Sequence, residues 1–136
     1  MKSTVLIVDD ESNVRCALLR LLRLEPYEII SASSAEDARH MLQRHRVDLI
    51  VTDNQLTGSC GIELLEWVRQ VCPEIVRIML TGRLSDEAAT RALGDTTIHH
   101  LFTKPCNVAE LSATIRRELE QGDRRGAACG PPCSTP

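Results

Sequence analysis

Leu49-Ile50-Val51-Thr52-Asp53 places a short apolar run directly before a carboxylate. Four strand-forming residues in succession, without polar alternation, suit a strand covered on both faces rather than one half-open to water. Working outward, the same form recurs along the chain. Val5–Val8 runs into Asp9-Asp10, Ile75–Leu80 into Thr81 and Ile98–Thr103 into Lys104, while Glu28–Ala32 is a strand with no charged end. Between these runs lie stretches of helical period. Val14, Leu18, Leu21 and Leu22 share one face, as do Ile62, Leu65 and Val68, and later Val108, Leu111, Ile115 and Leu119. Ser34 with Asp37 and Asn107 with Glu110 have capping-box spacing, and Ser85 precedes Asp86-Glu87 as a further helix start. A βα unit recurs about every 25 residues. That rhythm implies an α/β fold: a five-stranded parallel sheet, doubly wound, with helices on both faces and right-handed crossovers.

The chain has 136 residues, enough for one domain, and 43% of them are hydrophobic. Tyr27, Trp67 and Phe102 are the only aromatics, so the core must be aliphatic. A net charge of −3 gives no reason to expect binding to a nucleic-acid backbone or an anionic membrane. The run Val5–Val8 is too short for a signal peptide or a membrane span, which leads to the expectation of a cytoplasmic protein. The folded domain is expected over residues 1–121. From Gly122 the composition turns to Gly, Pro, Ala and Ser, the mark of a tail or the start of a linker over residues 122–136. Cys16, Cys60, Cys72 and Cys106 are scattered singly, and Cys129 and Cys133 sit one residue too far apart for a redox C-x-x-C pair. Reduced thiols are the expectation.

In an open α/β sheet, ligands bind beyond the carboxyl ends of the strands. Four of the five expected strands deliver a polar group there: Asp9-Asp10, Asp53, Thr81 and Lys104. Each has a plain reading taken singly. An aspartate after a strand caps a helix, Thr81 is a loop hydroxyl, and Lys104 is a solvated lysine. The set resists that reading. Carboxylates gathered at one edge repel by ~4 kcal/mol per close pair at an effective dielectric of about 20, so the fold needs cations there. Lys104 supplies one charge. A hard, oxygen-seeking divalent ion supplies the rest, and Mg²⁺ suits best because it binds through one or two carboxylates, keeps waters and shares phosphate oxygens.

In order and spacing, Asp9-Asp10, Asp53, Thr81 and Lys104-Pro105 resemble the signature of the receiver domains of two-component response regulators. Residues 53–61 align with that family's D-x-x-M-P-x-x-x-G stretch, and Phe102 falls where the family carries its aromatic switch residue. The resemblance covers residues 4 to about 120. It implies a flavodoxin-like strand order of 2-1-3-4-5. It also implies roles: Asp53 as the nucleophile that takes a phosphoryl group from a sensor histidine kinase or phosphotransfer protein, and Mg²⁺ held by Asp10, Asp53 and the Gln55 carbonyl, with Asp9 acting through water. Lys104 and the Thr81 hydroxyl would bind phosphoryl oxygens, and Thr81 with Phe102 would switch a surface of the fourth helix, last strand and fifth helix. A downstream effector domain or protein and a phosphorylation-linked homodimer are the further partners implied. Phosphoryl transfer asks mainly for in-line positioning and charge neutralisation, which such a set supplies.

Some residues depart from the family pattern. Leu56-Thr57 replaces Met-Pro, Gly82 stands where alanine is common, and Gln55 and Arg83 occupy positions the family uses to tune dephosphorylation. These bear on the lifetime of the phosphorylated state. Glu11 is read as helix-start charge, not a ligand. His99-His100, adjacent in a strand, point to opposite faces and cannot jointly grip a metal. Two rival readings stand beside the receiver. Asp53-x-Gln55-x-Thr57 faintly resembles the nucleophile motif of haloacid-dehalogenase-type phosphatases, but that motif belongs on a first strand and needs a second aspartate. A receiver-like interaction module that is never phosphorylated would have lost the acceptor, the acidic pair or the lysine, and all are present.

Overall fold

The structure is a computed structural model that describes residues 3–56, 58–82, 87–104 and 107–125. Its order is β1 (Thr4–Val8), α1 (Ser12–Leu22), β2 (Glu28–Ala32), α2 (Ala35–Arg44), β3 (Leu49–Asp53), a short hairpin of β4 (Gln55–Leu56) and β5 (Ser59–Cys60), α3 (Gly61–Val71), β6 (Val76–Thr81), α4 (Glu87–Gly94), β7 (His100–Thr103) and α5 (Val108–Arg125). The five longer strands form one parallel sheet in the order β2-β1-β3-β6-β7, and β4 pairs antiparallel with β5. Counted within the sheet alone, this is the expected 2-1-3-4-5 order.

Strand periodicity sorts the core onto two faces. Leu6, Val8, Ile50 and Met79 pack with Ala38 and Leu42 of α2, Leu64, Leu65 and Val68 of α3, and Ala89 and Ala92 of α4. Val5, Ile7, Val51, Ile78 and Leu80 face the other way, against Leu18 and Leu22 of α1 and Leu111, Ile115 and Leu119 of α5. Each fully buried Leu, Ile or Val contributes about 1.5–3 kcal/mol relative to leaving it in water. The sheet is therefore held from both sides, and its carboxyl edge is the free place for a site.

The helix starts follow the capping residues. Ser34 Oγ accepts the Asp37 N–H at 3.0 Å, while Asp37 Oδ2 accepts from the Ser33 N–H at 3.2 Å. Asn107 Oδ1 accepts the Glu110 N–H at 3.2 Å. The Ser85 start lies outside the described residues.

Several expectations are corrected. Leu21 is 60% exposed, because the buried line of α1 runs through Val14, Leu18 and Leu22 and no described element covers the flank beside it. Sheet pairing begins at His100 rather than Ile98, since the Ile98 N–H turns back to the Ala92 carbonyl at 3.1 Å. The last helix carries on to Arg125, past the composition change at Gly122. Residues 126–136 lie outside the described part. Among the described cysteines, Cys16 and Cys60 are free thiols, but the wholly buried Cys72 is disulfide-bonded. A compartment argument says nothing about which sulfurs a fold brings together, so it could not see this.

The strand read as nearly continuous in apolar residues hides a buried cation. Arg77 is only 3% exposed. Its guanidinium donates to the carbonyls of Pro73 (3.1 Å), Ile75 (2.9 Å), Thr96 (3.0 Å) and Thr97 (2.9 Å). This ties the start of β6 to the turn after α4, where Thr96 takes a positive φ of 69°. Burial pulls the Arg77 pKa below its usual value, with Arg69 adding to the effect. No helix among the described residues is long and apolar enough to cross a membrane.

Candidate functional site

The carboxyl ends of β1, β3, β6 and β7 place the polar set. β1 ends at Val8, and Asp9 still pairs outward through its N–H to the Ala32 carbonyl at 3.2 Å. Asp53 is the last residue of β3, in register with Leu80 of β6. Thr81, last in β6, is in register with Thr103 of β7, and the Lys104 N–H donates to the Thr81 carbonyl at 2.8 Å. Parallel register thus delivers the residues to one rim.

Side chains meet there. Lys104 Nζ lies 3.0 Å from Asp53 Oδ2 and 3.6 Å from Asp9 Oδ2, the second an ion pair too long for a hydrogen bond. Asp9, Asp10 and Asp53 bring one ligand atom each within 4.8 Å of one another. Asp9 and Asp53 are buried, and Asp10 is more open to solvent. Asp9 Oδ1 accepts the Glu11 N–H at 2.9 Å, while its buried Oδ2 has no hydrogen-bond partner. Burial pushes the Asp9 pKa up, against the Glu11 hydrogen bond and the Lys104 charge, with Asp53 and Asp10 adding repulsion. Burial alone would lower the Lys104 pKa, but the hydrogen bond and charge of Asp53, with the charge of Asp9, outweigh it and the net shift is upward.

A hard divalent cation fits these residues. Three carboxylates gather where Lys104 pairs with two of them, and a buried carboxylate oxygen without a hydrogen bond among the described residues costs free energy until a donor or a closer cation meets it. Gln55, on β4 directly beyond Asp53, places its backbone at the same edge. Thr81 is almost fully buried beneath the rim, and Gly82 beside it faces open space. Phe102 is partly buried against the α1–α5 core. Thr57, Arg83 and Pro105 lie outside the described residues.

His99 is exposed, and its Nδ1 accepts the Arg77 backbone N–H at 2.9 Å. His100 Nε2 stands 3.3 Å from Glu118 Oε2 of α5. The two imidazoles therefore have separate neighbours, and neither reaches the acidic cluster. Glu11 sits at the helix N-cap position with no side-chain capping bond.

Three contacts went unread in the sequence. Arg15 Nη1 of α1 donates to the Asp9 carbonyl at 2.6 Å. The buried Thr52 hydroxyl donates to the Asp53 carbonyl at 3.0 Å. Gly61, the first residue of α3, packs directly on the Asp53 backbone. The glycine was visible as the end of the 53–61 stretch, and a threonine buried among aliphatics was a signal too. Nothing local marked Arg15.

A family model described as the response regulator receiver domain matches residues 5–116. The chain is 36% identical over 126 residues to the hydrogenase transcriptional regulatory protein HoxA of Cupriavidus necator, an alignment that covers 90% of this chain and 26% of that protein. It spans about a quarter to a half of the length of the first curated relatives it matches. Among solved structures it is similar to a response regulator receiver domain protein (CheY-like) of Methanospirillum hungatei, with a TM-score of 0.85 and 27% identity, covering 93% of this chain and all of the other. The response regulator TrrA of Thermotoga maritima, solved in complex with Mg²⁺-BeF, matches with a TM-score of 0.76 and 27% identity over 87% of this chain and 99% of that one.

Proposed function

The chain belongs to the response regulator receiver family, and from that premise we propose that Asp53 is the residue that accepts a phosphoryl group. The observation that carries this reading is the Lys104 ammonium 3.0 Å from Asp53 Oδ2, beside the acidic pair. The Asp53 carboxylate attacks the phosphorus of a phosphohistidine on a sensor kinase or phosphotransfer protein. An O–P bond forms, the N–P bond breaks, and the imidazole leaves. Lys104 and the Thr81 hydroxyl take the phosphoryl oxygens and stabilise the charge that gathers on them. Asp10, Asp53 and the Gln55 carbonyl, with Asp9 through water, would hold Mg²⁺, which supplies neutralisation of carboxylate and phosphoryl charge. TrrA, the relative solved with Mg²⁺-BeF, supports this choice of ion.

The partner classes follow from the same reading: a kinase or phosphotransfer protein upstream, an effector domain or protein downstream, and a homodimer as one form of output. The protein acts as a cytoplasmic acceptor and not as an enzyme on free substrates. Thr81 and Phe102 form the switch, turning the face of α4, β7 and α5 between two states.

The test uses acetyl phosphate as a small phosphodonor with Mg²⁺. One base-labile acyl phosphate should appear on Asp53, and Asp53→Asn, nearly equal in volume, should fold and take no label. Label that persists on Asp53→Asn would place the acceptor elsewhere. Steady turnover of a free phosphomonoester would favour the phosphatase reading instead.

A further inference from the structure

We propose that Gly61 is a positioning residue for phosphoryl acceptance: the bare α-carbon at the start of α3 lets the helix seat on the Asp53 backbone and so sets where the nucleophilic carboxylate stands. The inference rests on the assignment of Asp53 as acceptor. A β-carbon at position 61 would overlap the Asp53 carbonyl oxygen and would stand 3.1 Å from the Asp53 carbonyl carbon and 3.2 Å from Asn54 Cα. These are backbone atoms, with no flexible side chain to swing aside.

They are also pinned from the other sides. The Gly61 N–H donates to the Asn54 carbonyl at 2.7 Å, and the Asn54 N–H donates to the Leu80 carbonyl at 2.9 Å. The Thr52 hydroxyl holds the Asp53 carbonyl at 3.0 Å. Gln55–Leu56 and Ser59–Cys60 pair as a hairpin that brings residue 61 back onto residue 53. Asp53 is therefore gripped between β6 and the first residue of α3, and any side chain at 61 must push the grip open. A displacement on the order of 1 Å at a reacting group costs about 10²-fold in rate. The Asp53 carboxylate has that little room, because Lys104 and the acidic pair already define its place.

Gly58 in the same hairpin supplies the control. It has a positive φ of 75° and nothing within 4 Å of an added β-carbon, so alanine there strains the backbone without pressing on Asp53. The experiment measures labelling by acetyl phosphate across a Mg²⁺ titration, with thermal unfolding in parallel, for wild type, Gly61→Ala, Gly58→Ala and Thr52→Val. Gly61→Ala should label about 10²-fold more slowly even at saturating Mg²⁺, and should need more Mg²⁺ to reach its own plateau. Gly58→Ala should lose stability yet label as wild type does. Thr52→Val, which removes one hydrogen bond from the Asp53 carbonyl at constant shape, should slow labelling in the same direction and keeps the question answerable if Gly61→Ala does not fold. Wild-type rates and Mg²⁺ dependence in Gly61→Ala, or in Thr52→Val where Gly61→Ala does not fold, would overturn the inference. So would an equal loss in Gly58→Ala, since the effect would then follow hairpin stability and not contact with Asp53. A wild-type protein that takes no label at all would instead overturn the acceptor assignment, and this inference with it.

Discussion

Lys104→Met keeps the length of the side chain and removes the one cation that the described residues place between Asp9 and Asp53. At separations of 3.0 and 3.6 Å each attraction is about 5 kcal/mol for an effective dielectric near 20. Most of that is offset by the cost of taking the charges out of water, and the lysine side chain is 29% exposed, which screens it further. Breaking a fully buried pair costs about 3–5 kcal/mol and an exposed one less than about 1 kcal/mol, so about 2 kcal/mol is expected for this half-way case. Proton uptake by Asp9, whose pKa is already pushed up by burial, caps the loss. Mg²⁺ should then do more for the variant than for wild type, because no ammonium competes with it. Because wild type also gains from the ion, the gap narrows only by RT ln of the ratio of the two Kd values, about 1.4 kcal/mol for each tenfold by which the variant binds more tightly. Urea unfolding, followed by the fluorescence of the single Trp67, would be run with chelator and with Mg²⁺. The variant should be weaker in chelator, closer to wild type in Mg²⁺, and bind the ion more tightly than wild type, while its phosphorylation response falls. Equal stability in chelator, or weaker Mg²⁺ binding, would refute the electrostatic account of the site.

Thr81→Ala should still label on Asp53 but fail to propagate the change. With beryllofluoride, amide shifts of α4 and β7 that move as far as in wild type would break the coupling through Thr81 to Phe102. Arg77→Met strands the four carbonyls its guanidinium holds and should cost about 3 kcal/mol in urea unfolding, with labelling retained because Arg77 lies at the other end of β6 from Thr81. Asp9 gives a pH dependence of definite sign. Its folded pKa is above the unfolded one, so its contribution to stability is fully present below the unfolded value and is lost as pH rises through the folded value. In metal-free buffer, wild type should therefore lose ground to Asp9→Asn as pH climbs from the usual carboxylate range toward neutrality. A stability difference that stays flat over that range would contradict the shift.

What the sequence determined by itself was the five strands of the parallel sheet and the residues at their ends, while the short β4–β5 hairpin went unread. Runs such as Val5–Val8 and Leu49–Thr52 are local patterns, and in a parallel sheet every strand's carboxyl end falls on the same rim. Asp9, Asp53, Thr81 and Lys104 could therefore be gathered without knowing any contact. Helical period likewise marked Leu18, Leu65 and Ile115 as core. Only the tertiary structure decided which members of a stripe are covered. Leu21 and Leu22 are neighbours in sequence, yet one is 60% and the other 1% exposed, because cover depends on the element packed opposite. It also decided that Arg77 is buried, since its partners lie at Pro73, Ile75, Thr96 and Thr97, up to twenty residues away. The seat of Gly61 on Asp53 and the reach of Arg15 to Asp9 belong to the same class. Periodicity is a property of one segment, whereas a close approach between two backbones, or the burial of a charge, is fixed by where a second segment lies.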